Sequence, residues 1–134
     1  MFKCILLLSF IVSSRVCQAP ISPANCLAIK VHQLSLVIAN EEGWNNKDSL
    51  VYSLNNPGAL TFVKQRNAKL GSRNFAHFSS ADAGWKALRK DLESKLKRNM
   101  SLRAIIYRWA PPSENNTEAY LHKVEKAMID INCK

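Results

Sequence analysis

The chain has few acidic residues and, beyond its N terminus, no long apolar run. It carries 10 Asp and Glu against 19 Lys and Arg, a formal net charge of +9. No later stretch approaches the ~20 apolar residues that a membrane-spanning helix requires. Gly-rich phosphate loops, GxSxG and HExxH are missing, and His32, His77 and His122 lack metal-ligand spacing. We therefore expect no stable membrane insertion, no metal and no cofactor.

The one apolar run lies in the opening sequence MFKCILLLSFIVSSRVCQA. Lys3 is its positive flank, residues 4–12 are its apolar segment and Ala19 is a small residue near its end. This order is typical of a secretory signal peptide. Because Pro20 follows Ala19, cleavage further on, near Pro23, stays open as an alternative.

We therefore predict a signal peptide over residues 1–19 and a secreted or periplasmic domain over 20–134. The loss of Lys3 and Arg15 lowers the formal net charge from +9 to +7. The remaining length suits one domain. Its charge favours an anionic partner: nucleic acid, an acidic membrane surface or an anionic polymer such as a cell wall.

Two of the four cysteines, Cys4 and Cys17, fall within the predicted signal. Cys26 and Cys133 remain, one near each end of the mature domain. In an oxidising compartment, two such cysteines most simply form one disulfide. We predict a Cys26–Cys133 bond.

Apolar residues at helical spacing predict a mainly helical domain. The first helix is expected from Asn25 to about Glu42, with Gly43 as its stop. The segments ALTFV and RNFAHF predict a small β-hairpin. Further helices are expected after a capping-box-like start at Ser79, after Ser101 up to the Pro111-Pro112 pair, and from about Tyr120 to Ile131. The segment between Gly43 and Gly58 predicts a loop or short helical turn, and the whole belongs to the α+β class.

Glu41 and Glu42 stand together at the end of the first apolar helix. At ~100° per residue both lie at the edge of its apolar face, so periodicity does not choose between them. A half-buried carboxyl at a helix C terminus tends to stay protonated and can act as a general acid. The alternative is that both glutamates are solvated.

The aromatic residues divide by position. Trp85 and Trp109 occupy core-facing helical positions, which favours packing in the core. Trp44 follows the two glutamates in a polar loop and is the better candidate for a cleft. Tyr52, in the same loop segment, is a further side chain that can stack on a sugar ring.

Four motifs occur in a recognisable order: EEGW, NNPGAL, FAHFSSADAGWKALRKDL and RWAPPSENNTEAYL. This order resembles a family of small lysozyme-like, peptidoglycan-cleaving proteins of bacteria and phages, related to lytic transglycosylases. The resemblance covers about residues 30–131. It implies a lysozyme-like domain, and it differs from the family pattern at Ala59, where members usually have Asn.

Carried over by residue, the resemblance implies that Glu42 is the general acid. It also implies a cleft near Asn55, Asn56 and Tyr120, to which we add Trp44 and Tyr52. Asp48, in the loop six residues after Glu42, is the nearby candidate for a second carboxylate; the alternative is a solvated loop residue. We expect a monomer that binds peptidoglycan, and no nucleic acid.

The implied reaction is cleavage of the β-1,4 bond between N-acetylmuramic acid and N-acetylglucosamine. Lytic transglycosylase chemistry, which forms a 1,6-anhydro product, is slightly favoured over hydrolysis because a second carboxylate is hard to find. Two other classes stay open. One is a non-catalytic wall-binding protein on the same fold, and the other is a basic secreted protein that binds membranes or nucleic acid.

Overall fold

The computed structural model describes residues 20–131 and Cys133, so the signal predicted at 1–19 lies outside the described residues. Within this part, the chain forms five α-helices and one two-stranded antiparallel sheet, which confirms the mainly helical α+β class. The elements in chain order are α1 (Pro23–Glu41), α2 (Leu50–Ser53), β1 (Ala68–Leu70), β2 (Ala76–Phe78), α3 (Ala81–Lys97), α4 (Leu102–Trp109) and α5 (Thr117–Met128).

Short polar side chains begin the helices. The hydroxyl oxygens of Ser22, Ser80 and Ser101, and the amide oxygen of Asn116, each accept a backbone N–H three residues on. Such caps satisfy N–H groups that have no partner inside the helix. The cap of α3 is therefore Ser80, one residue after the expected Ser79.

The core lies among α1, α3, α4 and α5. Each of these helices contributes two large apolar side chains that are fully buried, as expected for helices that bury an apolar face. These pairs are Leu34 and Ile38, Leu88 and Leu92, Ile105 and Ile106, and Leu121 and Val124.

The predicted hairpin is present, and its second strand lies within RNFAHF as expected, but its first strand forms later than expected. Strand β1 pairs with β2 in the register Ala68 to Phe78 and Leu70 to Ala76, whereas ALTFV contributes only an isolated bridge from Thr61 to Phe75. The prediction of ALTFV as a strand was wrong. Positive φ angles at Ala59 (49°) and Lys64 (62°) turn the backbone on both sides of it, so no extended strand develops.

The predicted disulfide is present. It joins Cys26 in the first turns of α1 to Cys133, with 5.6 Å between the Cα atoms and 107 residues of separation. Such bonds are typical of proteins in oxidising compartments. Over the described part of the chain, no helix has the length and apolar character needed to cross a membrane.

Candidate active site

Helix α1 ends in a hydrogen-bonded turn that fixes Glu42 and Trp44. The N–H of Gly43 donates to the carbonyl of Asn40 at 3.1 Å, and that of Trp44 donates to Ala39 at 2.9 Å. This pair of bonds is a Schellman motif, with Glu42 as the C-cap. Gly43 has a φ of 91°, which glycine adopts without strain. The Glu-Gly step therefore sets where the carboxyl of Glu42 leaves the helix.

The carboxyl of Glu42 is half-buried and meets helix α5. The hydroxyl of Tyr120, which is 8% exposed, donates to its Oε1 at 3.1 Å. Desolvation by burial raises the pKa of Glu42, the hydrogen bond from Tyr120 partly opposes this rise, and the charge of Glu41 adds to it. Burial and the nearby Glu42 also raise the pKa of Tyr120, so its hydroxyl keeps its proton.

Glu41 also contacts helix α5, but through a different residue. Its Oε2 accepts from Nζ of Lys123 at 2.7 Å, one turn along α5 from Tyr120. The two neighbouring glutamates thus face α5 side by side, one as an ion pair and one hydrogen-bonded to a neutral hydroxyl. Glu41 is thus held by a cation, whereas Glu42 is held by a neutral donor.

Aromatic side chains cluster at the C-terminal end of α1. The ring of Trp44 lies 5.1 Å from Tyr52 and 5.8 Å from Trp85, measured between centroids. Tyr52 is 39% exposed, so this cluster reaches the surface. The structure brings the candidate residues Trp44 and Tyr52 together and adds Trp85, which is partly buried against the core. Such rings can pack against sugar faces.

The side chains of Asn55 and Asn56 form hydrogen bonds within the fold. Asn56 is fully buried; its amide nitrogen donates to the carbonyls of Leu60 and Ala76, and its oxygen accepts from the N–H of Leu60. The amide of Asn55 donates to the carbonyl of Phe78 at 3.2 Å. Both side chains therefore stabilise the turn that leads to the β-hairpin. They would affect substrate binding only by fixing the position of that turn.

Asp48 lies exposed in the loop between α1 and α2. Its backbone N–H donates to the side chain of Asn46 at 3.0 Å. Within the described residues its carboxylate forms no ion pair. Its assignment as a second catalytic group stays a prediction.

A large cleft lies apart from this site. Its volume is about 1150 Å³, and neither Glu42 nor Trp44 nor Tyr120 lines it. Its walls are the segment from Gly58 to Asn67, the outer side of α3 and the end of α4. We call it the cationic cleft, after its charged lining residues Arg66, Lys86, Lys90, Lys95 and Arg108, which face one acidic residue, Asp91.

Sequence reasoning missed the partners that only folding brings close. Lys123 stands three residues after Tyr120, a helical spacing that would have hinted at a shared face. Trp85 was assigned to the core because it lies at a core-facing position of its helix. The cationic cleft had no local signal, because its walls come from three separate segments. No group of three or more metal-ligating side chains occurs within the described residues.

Searches of the chain against protein-family models, curated proteins and solved structures find no match. The resemblance to lysozyme-like proteins therefore stays a prediction.

Proposed function

We propose that the protein cleaves the β-1,4 bond between N-acetylmuramic acid and N-acetylglucosamine in peptidoglycan, with Glu42 as the general acid. The observation that supports this most is the half-buried carboxyl of Glu42, whose pKa is raised by desolvation and which accepts a hydrogen bond from Tyr120. A general acid must hold its proton near the working pH. The aromatic cluster of Trp44, Tyr52 and Trp85 offers sugar-stacking surface nearby.

The other acidic side chains fit this role less well. The chain has 10 Asp and Glu, all within the described residues. Several form ion pairs with Lys or Arg, and the rest are exposed. The paired ones are Glu41, Asp82, Asp91, Glu93 and Glu118, and the exposed ones without an ion pair are Asp48, Glu114, Glu125 and Asp130.

The candidates for a second carboxylate are poorly suited to that role, which favours transglycosylation. A hydrolase normally needs a second carboxyl as nucleophile or base, but Glu41 is paired with Lys123 and Asp48 lies exposed in the loop after α1. In the proposed reaction, Glu42 gives its proton to the leaving glycosidic oxygen as the bond to the muramic carbon breaks. The 6-hydroxyl of the same muramic residue then bonds to that carbon and returns its proton to Glu42. The product is a 1,6-anhydro sugar, and no water is consumed.

A digest of purified peptidoglycan, analysed by mass spectrometry, tests the proposal. Anhydro-muropeptides are expected from the wild-type protein, whereas reducing ends would show hydrolysis instead. Glu42→Gln should abolish product formation, and the matched variant Glu41→Gln should retain it. If the folded wild-type protein releases nothing, or if Glu41→Gln is the inactive variant, the proposal fails.

One observation favours a second candidate, a non-catalytic wall-binding protein: the cleft of about 1150 Å³ is not lined by Glu42. Sedimentation with insoluble peptidoglycan separates the two. If wild type and Glu42→Gln bind peptidoglycan equally and neither releases muropeptides, the protein is a binding protein.

A further inference from the structure

Helix α3 separates the cationic cleft from the aromatic cluster near Glu42. At 3.6 residues per turn, the cleft-lining Ala87 and Asp91 fall on one side of the buried Leu88, whereas Trp85 falls on the other. The cleft is thus a surface that the proposed cleavage does not use.

The charges of the cleft are mostly uncompensated. Asp91 forms an ion pair with Lys95, and Lys86 pairs with the exposed Asp82 outside the lining. Within the described residues, Arg66, Lys90 and Arg108 form no ion pair. All three are exposed. Cations held without partners around a concave surface focus a positive potential there and attract an anionic ligand.

The wall of the cleft formed by the segment from Gly58 to Asn67 adds no negative charge. The stretch from Ser49 to Ala81 contains neither Asp nor Glu. No carboxylate on that wall can therefore neutralise Arg66. Thr61, Asn67 and Ser94 add polar groups to the lining, which are suited to hydrogen bonds with hydroxyls.

The size and apolar content of the cleft point to a chain rather than a small ion. Its volume of about 1150 Å³ exceeds the ~300–1,000 Å³ typical of sites for single small ligands. Trp109 gives it indole surface, and Lys95 lies 5.5 Å from the centroid of that ring. An indole beside hydroxyl and amide groups suits sugar or polyol units, whose faces are apolar and whose edges are polar.

We propose that the cationic cleft binds a linear saccharide or polyol chain that carries repeated carboxylate or phosphate groups. Nucleic acid fits less well, because single-stranded binders present several aromatic rings for successive bases and the described lining holds only Trp109. A membrane fits less well because interfacial binding requires a broad apolar face, whereas this surface is concave. The inference stands independently of the proposed cleavage by Glu42.

Fluorescence anisotropy with labelled polymers tests this binding. Polygalacturonate supplies carboxylates, poly(glycerol phosphate) supplies phosphates, and dextran of similar length is the neutral probe. Duplex DNA and anionic lipid vesicles form two further arms. The full mature protein carries Glu42→Gln in every sample, so that cleavage cannot alter a probe.

Two double variants with the same change in net charge are compared at low ionic strength. Lys90→Glu with Arg108→Glu alters the cleft, and Lys47→Glu with Lys126→Glu alters exposed lysines that do not line it. The cleft variant should weaken binding of an acidic polymer by roughly tenfold or more, and the control by less than about twofold. Binding of one acidic polymer alone, or of both, supports the proposal and identifies the anionic group.

Four results would overturn the inference: equal weakening by the two double variants, no binding of either acidic polymer, dextran binding as tightly as these polymers, or tighter binding of DNA or vesicles. Circular dichroism confirms that each variant is folded before its affinity is compared.

Discussion

Glu42 carries a carboxyl that burial makes costly to ionise, and this cost should appear in the stability of the protein. Its ordinary pKa is 4.5 and folding raises it. The folded state therefore holds this proton more tightly than the unfolded state, so stability falls as the pH rises from 4.5 through the raised pKa. Above that window the cost is constant.

Glu42→Gln removes this cost and should stabilise the protein at about pH 7, by the ~0.5–2 kcal/mol typical of single stabilising substitutions. The gain should vanish well below the ordinary carboxyl pKa. Urea unfolding at neutral and acidic pH measures it. Glu41→Gln is the matched control and should be neutral or slightly destabilising, because it breaks the ion pair with Lys123. A Glu42→Gln protein that is less stable at neutral pH would contradict the burial argument.

Tyr120→Phe should shift the pH dependence of cleavage. The hydroxyl of Tyr120 lowers the pKa of Glu42, so its removal should raise that pKa further. Because a general acid acts while protonated, the fall of activity on the basic side should move to higher pH. The stability cost should be about 1 kcal/mol, the net value of one hydrogen bond. A pH–rate profile on peptidoglycan measures the shift; an unchanged basic limb would argue that Glu42 is not the acid.

Sequence periodicity placed Glu41 and Glu42 at the edge of the core but did not distinguish them. The distinction comes from Tyr120 and Lys123, which lie 78 and 82 residues further along the chain. Contacts of that separation leave no local trace in a single sequence. The expectation that Glu42 is the general acid therefore came from the motif resemblance, and the geometry supplies an independent physical reason for it.

At the scale of elements, glycine and alanine occupy two left-handed positions with opposite consequences. Gly43, at φ 91°, ends α1 without strain, whereas Ala59, at φ 49°, holds a conformation that costs a side-chain-bearing residue about 1–2 kcal/mol. Gly43→Ala should therefore destabilise by about 1 kcal/mol or more, and Ala59→Gly should stabilise by up to ~1 kcal/mol. Urea unfolding of both variants compares the signs, and two changes of the same sign would contradict the prediction.

The helices were predictable because their signals are local. Ser101 and the Pro111-Pro112 pair bracket α4, and the spacing of apolar residues gave the buried faces of α1 and α3. The hairpin was less predictable, because Ala59 and Lys64 adopt positive φ without being glycine. Nothing in these residue types signals a turn.

At the scale of the whole molecule, the disulfide closes a loop that contains nearly the entire described chain. The 107-residue separation of Cys26 and Cys133 predicts a loss of up to ~4–5 kcal/mol when the bond is removed, on the chain-entropy account. Cys26→Ser with Cys133→Ser should show this loss in urea unfolding. Reduced wild-type protein is the matched comparison and should behave in the same way. A double variant as stable as the oxidised protein would contradict the prediction.

The cationic cleft also belongs to this scale. Its walls come from the segment before β1, from α3 and from α4, and each separately looks like an ordinary basic surface. Lys86 and Lys90 are exposed on one face of α3. Only the packing of the three segments turns that face into a cleft.

Helices α1 and α5 are fastened at both ends, but by unequal means. A covalent bond joins Cys26 to Cys133 at one end, and a hydrogen bond joins Glu42 to Tyr120 at the other. Lys123 and Glu41 add an ion pair beside that hydrogen bond. Reduction of the disulfide would therefore leave α5 attached to the end of α1 through Tyr120 and Lys123, so the position of Glu42 does not depend on the covalent link alone.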